Sequence, residues 1–237
     1  MPEVPVYTAA EVRAAELPLL AAGEPLMARA SAALAGVASE QLAGGHRVLV
    51  LAGRGDNGGD ALFAASHLLR GGAGHVEVVI VLTGGSGHAE GLAAAQAAGA
   101  RVVPVSEAAA SVPDLVLDGI LGIGTSADPS LRGAAREVVE ALLPAARAGA
   151  TRVIAVDLPS GLQPDTGATG DDVVLPASVT VTFGAVKAGL VGGRGPELCG
   201  ELVLVDLGLG PGLARDDMRA VVSVDRVIVA PAAGPLT

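Results

Sequence analysis

The chain has 237 residues, enough for one large domain or a domain with a tail, and 51% of it is hydrophobic while only 1% is aromatic. A core of Ala, Val and Leu follows, suited to close packing of helices on a sheet. The formal charge of −10 argues against non-specific nucleic-acid binding, which needs clustered Lys and Arg, and the single Cys199 excludes an internal disulfide and suits a reducing compartment.

In chain order, Met1-Pro2-Glu3-Val4-Pro5 shows no basic region followed by an apolar stretch, and no apolar run reaches bilayer length. The expectation is a soluble, cytoplasmic protein with no membrane partner. Thr8 followed by Glu11 reads as a capping box that opens a helix through about residue 20, with Pro18 kinking or ending it. A second helix is predicted over 25–42, with Leu26, Met27, Ala30, Leu34 and Val37 along one face. Strands are then predicted at 47–51, 76–82, 101–104, 115–117, 152–156, 178–182 and 201–205, with helices at 59–70, 89–98, 107–111 and 131–148. These strands are continuous apolar runs, which means burial on both faces and a parallel sheet. The predicted fold is a Rossmann-like three-layer α/β/α sandwich with a mostly parallel sheet, one domain over residues 1–229. Residues 163–200 read as loops over the sheet around one strand, and 230–237 as a tail or linker. Cys199 reads as a small buried residue before a strand.

The first strand runs into Gly53-Arg54-Gly55-Asp56-Asn57-Gly58-Gly59-Asp60-Ala61, a glycine-rich turn opening a helix near Gly59. Such a turn aims several backbone N–H groups at one point, where an anion can bind. A phosphate cradle has no need of Asp56 and Asp60, so the loop is expected to do chemistry or to hold a cation as well. In parallel sheets ligands collect at the carboxyl ends of the strands. Three more strand ends carry polar residues: Asp118 before a second glycine-rich turn at 122–126, Asp157 before Leu-Pro-Ser160-Gly, and Thr182-Phe-Gly-Ala-Val-Lys187. Asp118 reads either as a turn cap or as a ligand, and Lys187 either as an anion contact or as a surface residue. The turn is neither GxGxxG nor GxxxxGK[ST], so a P-loop ATPase is disfavoured. Ser160 lacks the GxSxG setting and a paired His, which disfavours a serine hydrolase. His46, His67, His75 and His88 have no metal-type spacing and read as structural or solvated.

In order, these segments resemble the NAD(P)H-hydrate epimerases, the YjeF N-terminal domain family. The resemblance is carried by the glycine-rich turn at 53–61, Asp118, Val156-Asp157-Leu158-Pro159-Ser160-Gly161, Asp165-Thr166-Gly167, Thr182-Phe183-Gly184-Ala185-Val186-Lys187 and the closing Gly200–Gly208 strand. It implies an isomerase of nicotinamide cofactor repair that interconverts the R and S forms of hydrated NADH or NADPH for a stereospecific dehydratase. It further implies substrate contacts from Asp56, Asn57, Gly58, Gly59 and Asp60, from Gly122, Ile123, Gly124, Thr125, Ser126, Ala127 and Asp128, and from Asp157. A potassium ion would be held by Asn57, Asp118 and Ser160, a donor set of oxygens that suits a hard monovalent cation. A homodimer is implied too. Against the family pattern, Asp56 replaces an Asn, Ala61 a Gly, Ala28 a Glu, and Val186 and Ala188 prolines.

The hydrate is a hemiaminal, so its hydroxyl can leave with help from the ring nitrogen and water can return to either face. Asp157 is the expected proton shuttle and Asp60 its helper. Two other readings compete: a non-catalytic nucleotide- or RNA-binding module of the same fold, and a nucleotide-dependent transferase or dehydrogenase. An NAD dehydrogenase should end its second strand in an acidic ribose contact, yet here Leu82 leads into Thr83-Gly84-Gly85-Ser86.

Overall fold

The computed structural model describes all residues except 43, 45, 72–75, 125–127, 214–218 and 232–237. Its elements are β1 (Glu3–Tyr7), α1 (Ala9–Ala21), α2 (Leu26–Leu42), β2 (Arg47–Ala52), α3 (Asp56–Arg70), β3 (Glu77–Leu82), α4 (Ala89–Ala97), β4 (Arg101–Val102), α5 (Val105–Ala108), β5 (Leu115–Gly119) and α6 (Gly133–Arg147). There follow β6 (Arg152–Val156), β7 (Val179–Phe183), β8 (Val186–Lys187), α7 (Ala188–Val191), α8 (Gly195–Leu198), β9 (Glu201–Asp206), β10 (Val221–Ser223) and β11 (Arg226–Val229).

Eight strands form one sheet in the order β11-β9-β7-β6-β5-β2-β3-β4, and every pairing in it is parallel. Period-two alternation explains the apolar runs. Val48, Val50 and Ala52 of β2 pack under α2 and α3, while Leu49 and Leu51 pack against α6 on the other face. A three-stranded sheet, β10-β1-β8, adds a smaller core against Leu202 and Leu204 of β9. No helix among the described residues is long and apolar enough to cross a membrane.

The structure departs from the sequence reading at several elements. Pro18 does not end α1, because the carbonyl it frees four residues back belongs to exposed Ala14, where water can satisfy it. Pro144 repeats this in α6 over exposed Glu140. Helix α3 starts at Asp56 rather than near Gly59, and the strand predicted at 101–104 is only two residues long. Residues 163–200 are not loops around one strand, since they contain β7, β8, α7 and α8. Strands β1, β10 and β11 had no counterpart in the reading. Of the tail at 230–237, only Ala230 and Pro231 fall within the described residues.

Candidate active site

The turn after β2 is closed by direct backbone contact. A Cβ on Gly58 would strike the carbonyl and amide of Gly53, and one on Gly53 would strike the carbonyl of Ile120, so neither position accepts a side chain. The N-cap Gly55 offers no side-chain cap, which leaves N–H groups of the first turn of α3 open to a ligand or solvent. Asp56 stands in that first turn, where its charge favours the helix dipole. This gives Asp56 a structural reason to be present, independent of any substrate.

Asn57, Asp118 and Ser160, drawn from α3, β5 and the turn after β6, meet in one hydrogen-bonded cluster. Asn57 Nδ2 donates to Leu121 O at 3.0 Å and to Val156 O at 2.6 Å. Leu121 N donates to Ser160 Oγ at 2.9 Å, and Ser160 N to Asp118 Oδ2 at 2.9 Å. Gly122 is required beside it, because any Cβ would run into the Asn57 amide. Burial raises the Asp118 carboxyl pKa, opposed by its bonds from Ser160 and Ile120. The donors on offer are two backbone carbonyls, a hydroxyl, an amide and one carboxylate, and no group of three His, Cys, Asp or Glu among the described residues could hold a metal ion. Such a set fits a hard cation of low charge better than a transition metal.

Asp157 follows β6 directly, two positions beyond the residue that pairs with Asp118. It is the one non-glycine residue with a left-handed backbone among those described, φ 68°. Its Oδ1 accepts from Phe183 N at 3.0 Å, from Thr182 Oγ1 at 3.2 Å and from Lys187 Nζ. Lys187 is only 1% exposed and also donates to Phe183 O at 2.7 Å. It is therefore neither a surface residue nor a free anion contact but the partner of a buried ion pair. Near this pair, Asp60 is 6% exposed and its Oδ1 has no hydrogen-bond partner. Burial pushes its carboxyl pKa well above the usual range, the charges of Asp157, Asp56 and Glu16 push the same way, and Lys187 opposes them.

Glu16, which the sequence reading passed over, comes from α1. Burial raises its carboxyl pKa too, with Lys187 opposing and Asp157 and Asp56 adding. Helix α1 is fastened over the site at three points. Ala9 N donates to Asp165 Oδ1 at 2.6 Å, Arg13 Nη1 to Ile123 O at 2.6 Å, and Glu11 pairs with Arg219 at 2.7 Å. The available signal was the three-residue spacing of Arg13 and Glu16, which puts both on one helical face.

A cavity of about 770 Å³ opens on the α6 side and is lined by Asp56, Asn57, Gly122, Ile123, Gly124 and Asp128 from the predicted set, and by Arg54, Thr83, Gly84 and Arg132. Asp60, Asp118, Asp157 and Ser160 lie outside its wall, all buried, as are Gly58 and Gly59 in the first turn of α3. Thr125, Ser126 and Ala127 lie outside the described residues. Of the histidines described, His88 Nδ1 caps α4 by accepting from Gly91 N and its ring meets Phe63 edge-on, His67 is partly buried and His46 is exposed. Cys199 is buried before β9 and burial pushes its thiol up to about 12.

Fold and site together define a Rossmann-like α/β protein whose acidic residues gather at the strand ends beside an open cleft. The family model described as "YjeF-related protein N-terminus" matches residues 23–189, and the chain belongs to that family. It is 58% identical over 233 residues to a protein of Microbacterium testaceum named NAD(P)H-hydrate epimerase, covering 97% of this chain and 89% of that one. It is 39% identical over 237 residues to a protein of Mycobacterium tuberculosis named bifunctional NAD(P)H-hydrate repair enzyme Nnr, covering 97% of this chain and 46% of that one. The crystal structure of yeast YNL200c superposes with a TM-score of 0.68 at 19% identity over 92% of this chain and 99% of that one, a likeness of fold.

Proposed function

We propose that this chain is an NAD(P)H-hydrate epimerase, an isomerase that interconverts the R and S hydrates of NADH and NADPH in the cytoplasm. One observation carries the reading. Two carboxyl groups close enough to feel each other's charge, Asp157 and Asp60, sit in opposed environments, one ion-paired and bonded to three donors, the other buried with an unpartnered oxygen and a raised pKa. Pairs of carboxyl groups set apart in this way divide acid from base. Protonated Asp60 gives its proton to the hydroxyl on the carbon beside the ring nitrogen. The C–O bond breaks, water leaves, and the nitrogen lone pair completes the iminium. Water then adds to either face while Asp157 takes its proton, and proton transfer from Asp157 to Asp60 restores the starting state. Substrate would enter through the open cavity, along Asp56–Asp60 and the 122–128 turn.

A potassium ion fits the Asn57 cluster. Asn57, Ser160, Asp118 and the carbonyls of Leu121 and Val156 would hold the ion. When bound, the ion supplies positive charge that offsets repulsion between the acidic residues and the pyrophosphate of the substrate. Coupling to an NAD(P)H-hydrate dehydratase is supported by the name of the bifunctional relative. A homodimer is the assembly that the family resemblance implies.

The test supplies the R hydrate of NADH with an S-specific dehydratase and follows recovery of NADH with and without potassium. The reading predicts acceleration over spontaneous epimerisation, stronger with potassium. No acceleration in either condition would replace it with a non-catalytic nucleotide-binding module.

A further inference from the structure

The open half of the cleft contains a cation that no carboxylate answers. Arg132 on its wall is paired with Asp128 at 2.8 Å, whereas Arg54 makes no ion pair among the described residues. Arg54 is nonetheless held in place. Its Nε donates to Gly84 O at 2.6 Å, and its stem lies against the Gly84 backbone, where an added Cβ would come within 2.7 Å of Arg54 Cγ and 2.8 Å of Nε. Gly84 thus makes room for the arginine and its carbonyl fixes the arginine's Nε. The two terminal nitrogens of the guanidinium make no hydrogen bond or ion pair with a described residue and remain available at the cavity wall.

Topology says what should lie there. Counted from β2, the strands β4-β3-β2-β5-β6-β7 follow the Rossmann order 3-2-1-4-5-6. In that arrangement the pyrophosphate lies at the turn after the first strand and the adenosine ribose at the end of the second, here β3. The other half of the dinucleotide then reaches towards the end of β5, where Asp118, Asn57 and Ser160 cluster. A carboxylate at the end of the second strand holds a free ribose 2′-hydroxyl and repels a 2′-phosphate, while an arginine there accepts the phosphate. Strand β3 ends in Leu82-Thr83-Gly84-Gly85-Ser86, with no carboxylate, and Arg54 lies across it. Asp56, exposed on the same wall, repels a phosphate, so capture calls for a bidentate guanidinium contact rather than diffuse positive charge.

We propose that Arg54, seated on Gly84, receives the 2′-phosphate of hydrated NADPH and makes it the preferred substrate over hydrated NADH. This rests on the epimerase reading above and adds the substrate choice to it. The experiment measures KM for both R hydrates, and Kd for NADP⁺ and NAD⁺ by calorimetry, in the wild type, Arg54→Gln and Gly84→Ala. Arg54→Gln should raise KM for the NADPH hydrate and Kd for NADP⁺ about tenfold, while the NADH hydrate and NAD⁺ move by less than about twofold. Gly84→Ala should shift the same two values in the same direction by displacing the arginine. Equal weakening towards both dinucleotides would place Arg54 on the pyrophosphate and overturn the proposal, as would no weakening at all. Should the wild type turn over neither hydrate while NADP⁺ binding still drops selectively in Arg54→Gln, the epimerase reading fails and the 2′-phosphate site stands.

Discussion

The two sides of the sheet edge are built on opposite terms. At the ends of β5, β6 and β7, the polar groups are buried and nearly all are bonded: Asp157 to Lys187, Thr182 and Phe183, and Asp118 to Ser160. Towards α6, Arg54, Asp56, Asp128 and Arg132 are exposed around an open cavity. Charges in the first region act through a medium of low dielectric, where one misplaced proton is costly and can do work. Charges in the second are screened by water and lie open to a ligand. On the proposed function, chemistry belongs to the closed half and substrate selection to the open half.

Substitutions can break that division, and the largest expected effect lies in the closed half. Lys187→Met strands the Asp157 carboxylate without its partner and should cost about 3–5 kcal/mol of folding stability, read by urea denaturation. A loss below about 1 kcal/mol, the range of an exposed pair, would mean that the pair behaves as a surface pair. Next comes Asp60→Asn, which should slow epimerisation by about a hundredfold or more through loss of the acid. Its stability should move the other way. A raised native pKa means that the stability Asp60 contributes is present below its unfolded value of 3.8 and is lost as pH rises through the native value. The Asn variant lacks that loss, so its advantage over the wild type should grow as pH rises above 3.8, measured as Tm against pH. A constant difference across pH would contradict the assigned burial.

The smallest effect is at the fastening of α1. Arg219 and the Thr8 cap hold the Glu11 carboxyl down at about 2 from its ordinary 4.5. Because the native pKa is depressed, this contribution is present above 4.5 and lost as pH falls towards 2. Arg219→Gln should therefore lower Tm modestly at neutral pH and much less near pH 2, by differential scanning calorimetry. A Tm deficit as large near pH 2 as at neutral pH would show that Arg219 acts through its stacking on Tyr7 instead.

Much of the fold was legible because its signals are local. The Thr8–Glu11 capping box, the apolar runs of β2, β3, β6 and β9, and the helices between them each announce themselves within a few residues. What escaped depends on distant partners. Strand β8 is two residues long and exists by pairing with β1, which precedes it by some 180 positions. Strand β11 earns its place by lying beside β9, and the helix around Pro18 by where its freed carbonyl points. The site divides likewise. Asp157, Asn57, Asp118 and Ser160 were readable as strand-end motifs, but the burial of Lys187 requires knowing that Asp157, thirty residues earlier, faces it. Glu16 has only its spacing from Arg13 to mark it, and the seat of Arg54 on Gly84 has no local signature.

The central claim, that the closed half carries the chemistry, is tested most directly by the rate of R-hydrate epimerisation in Asp157→Asn with potassium present. Loss of the base should lower kcat by about 10²–10⁴-fold while KM changes little, because the cavity wall is untouched. A variant that epimerises at the wild-type rate would contradict the account.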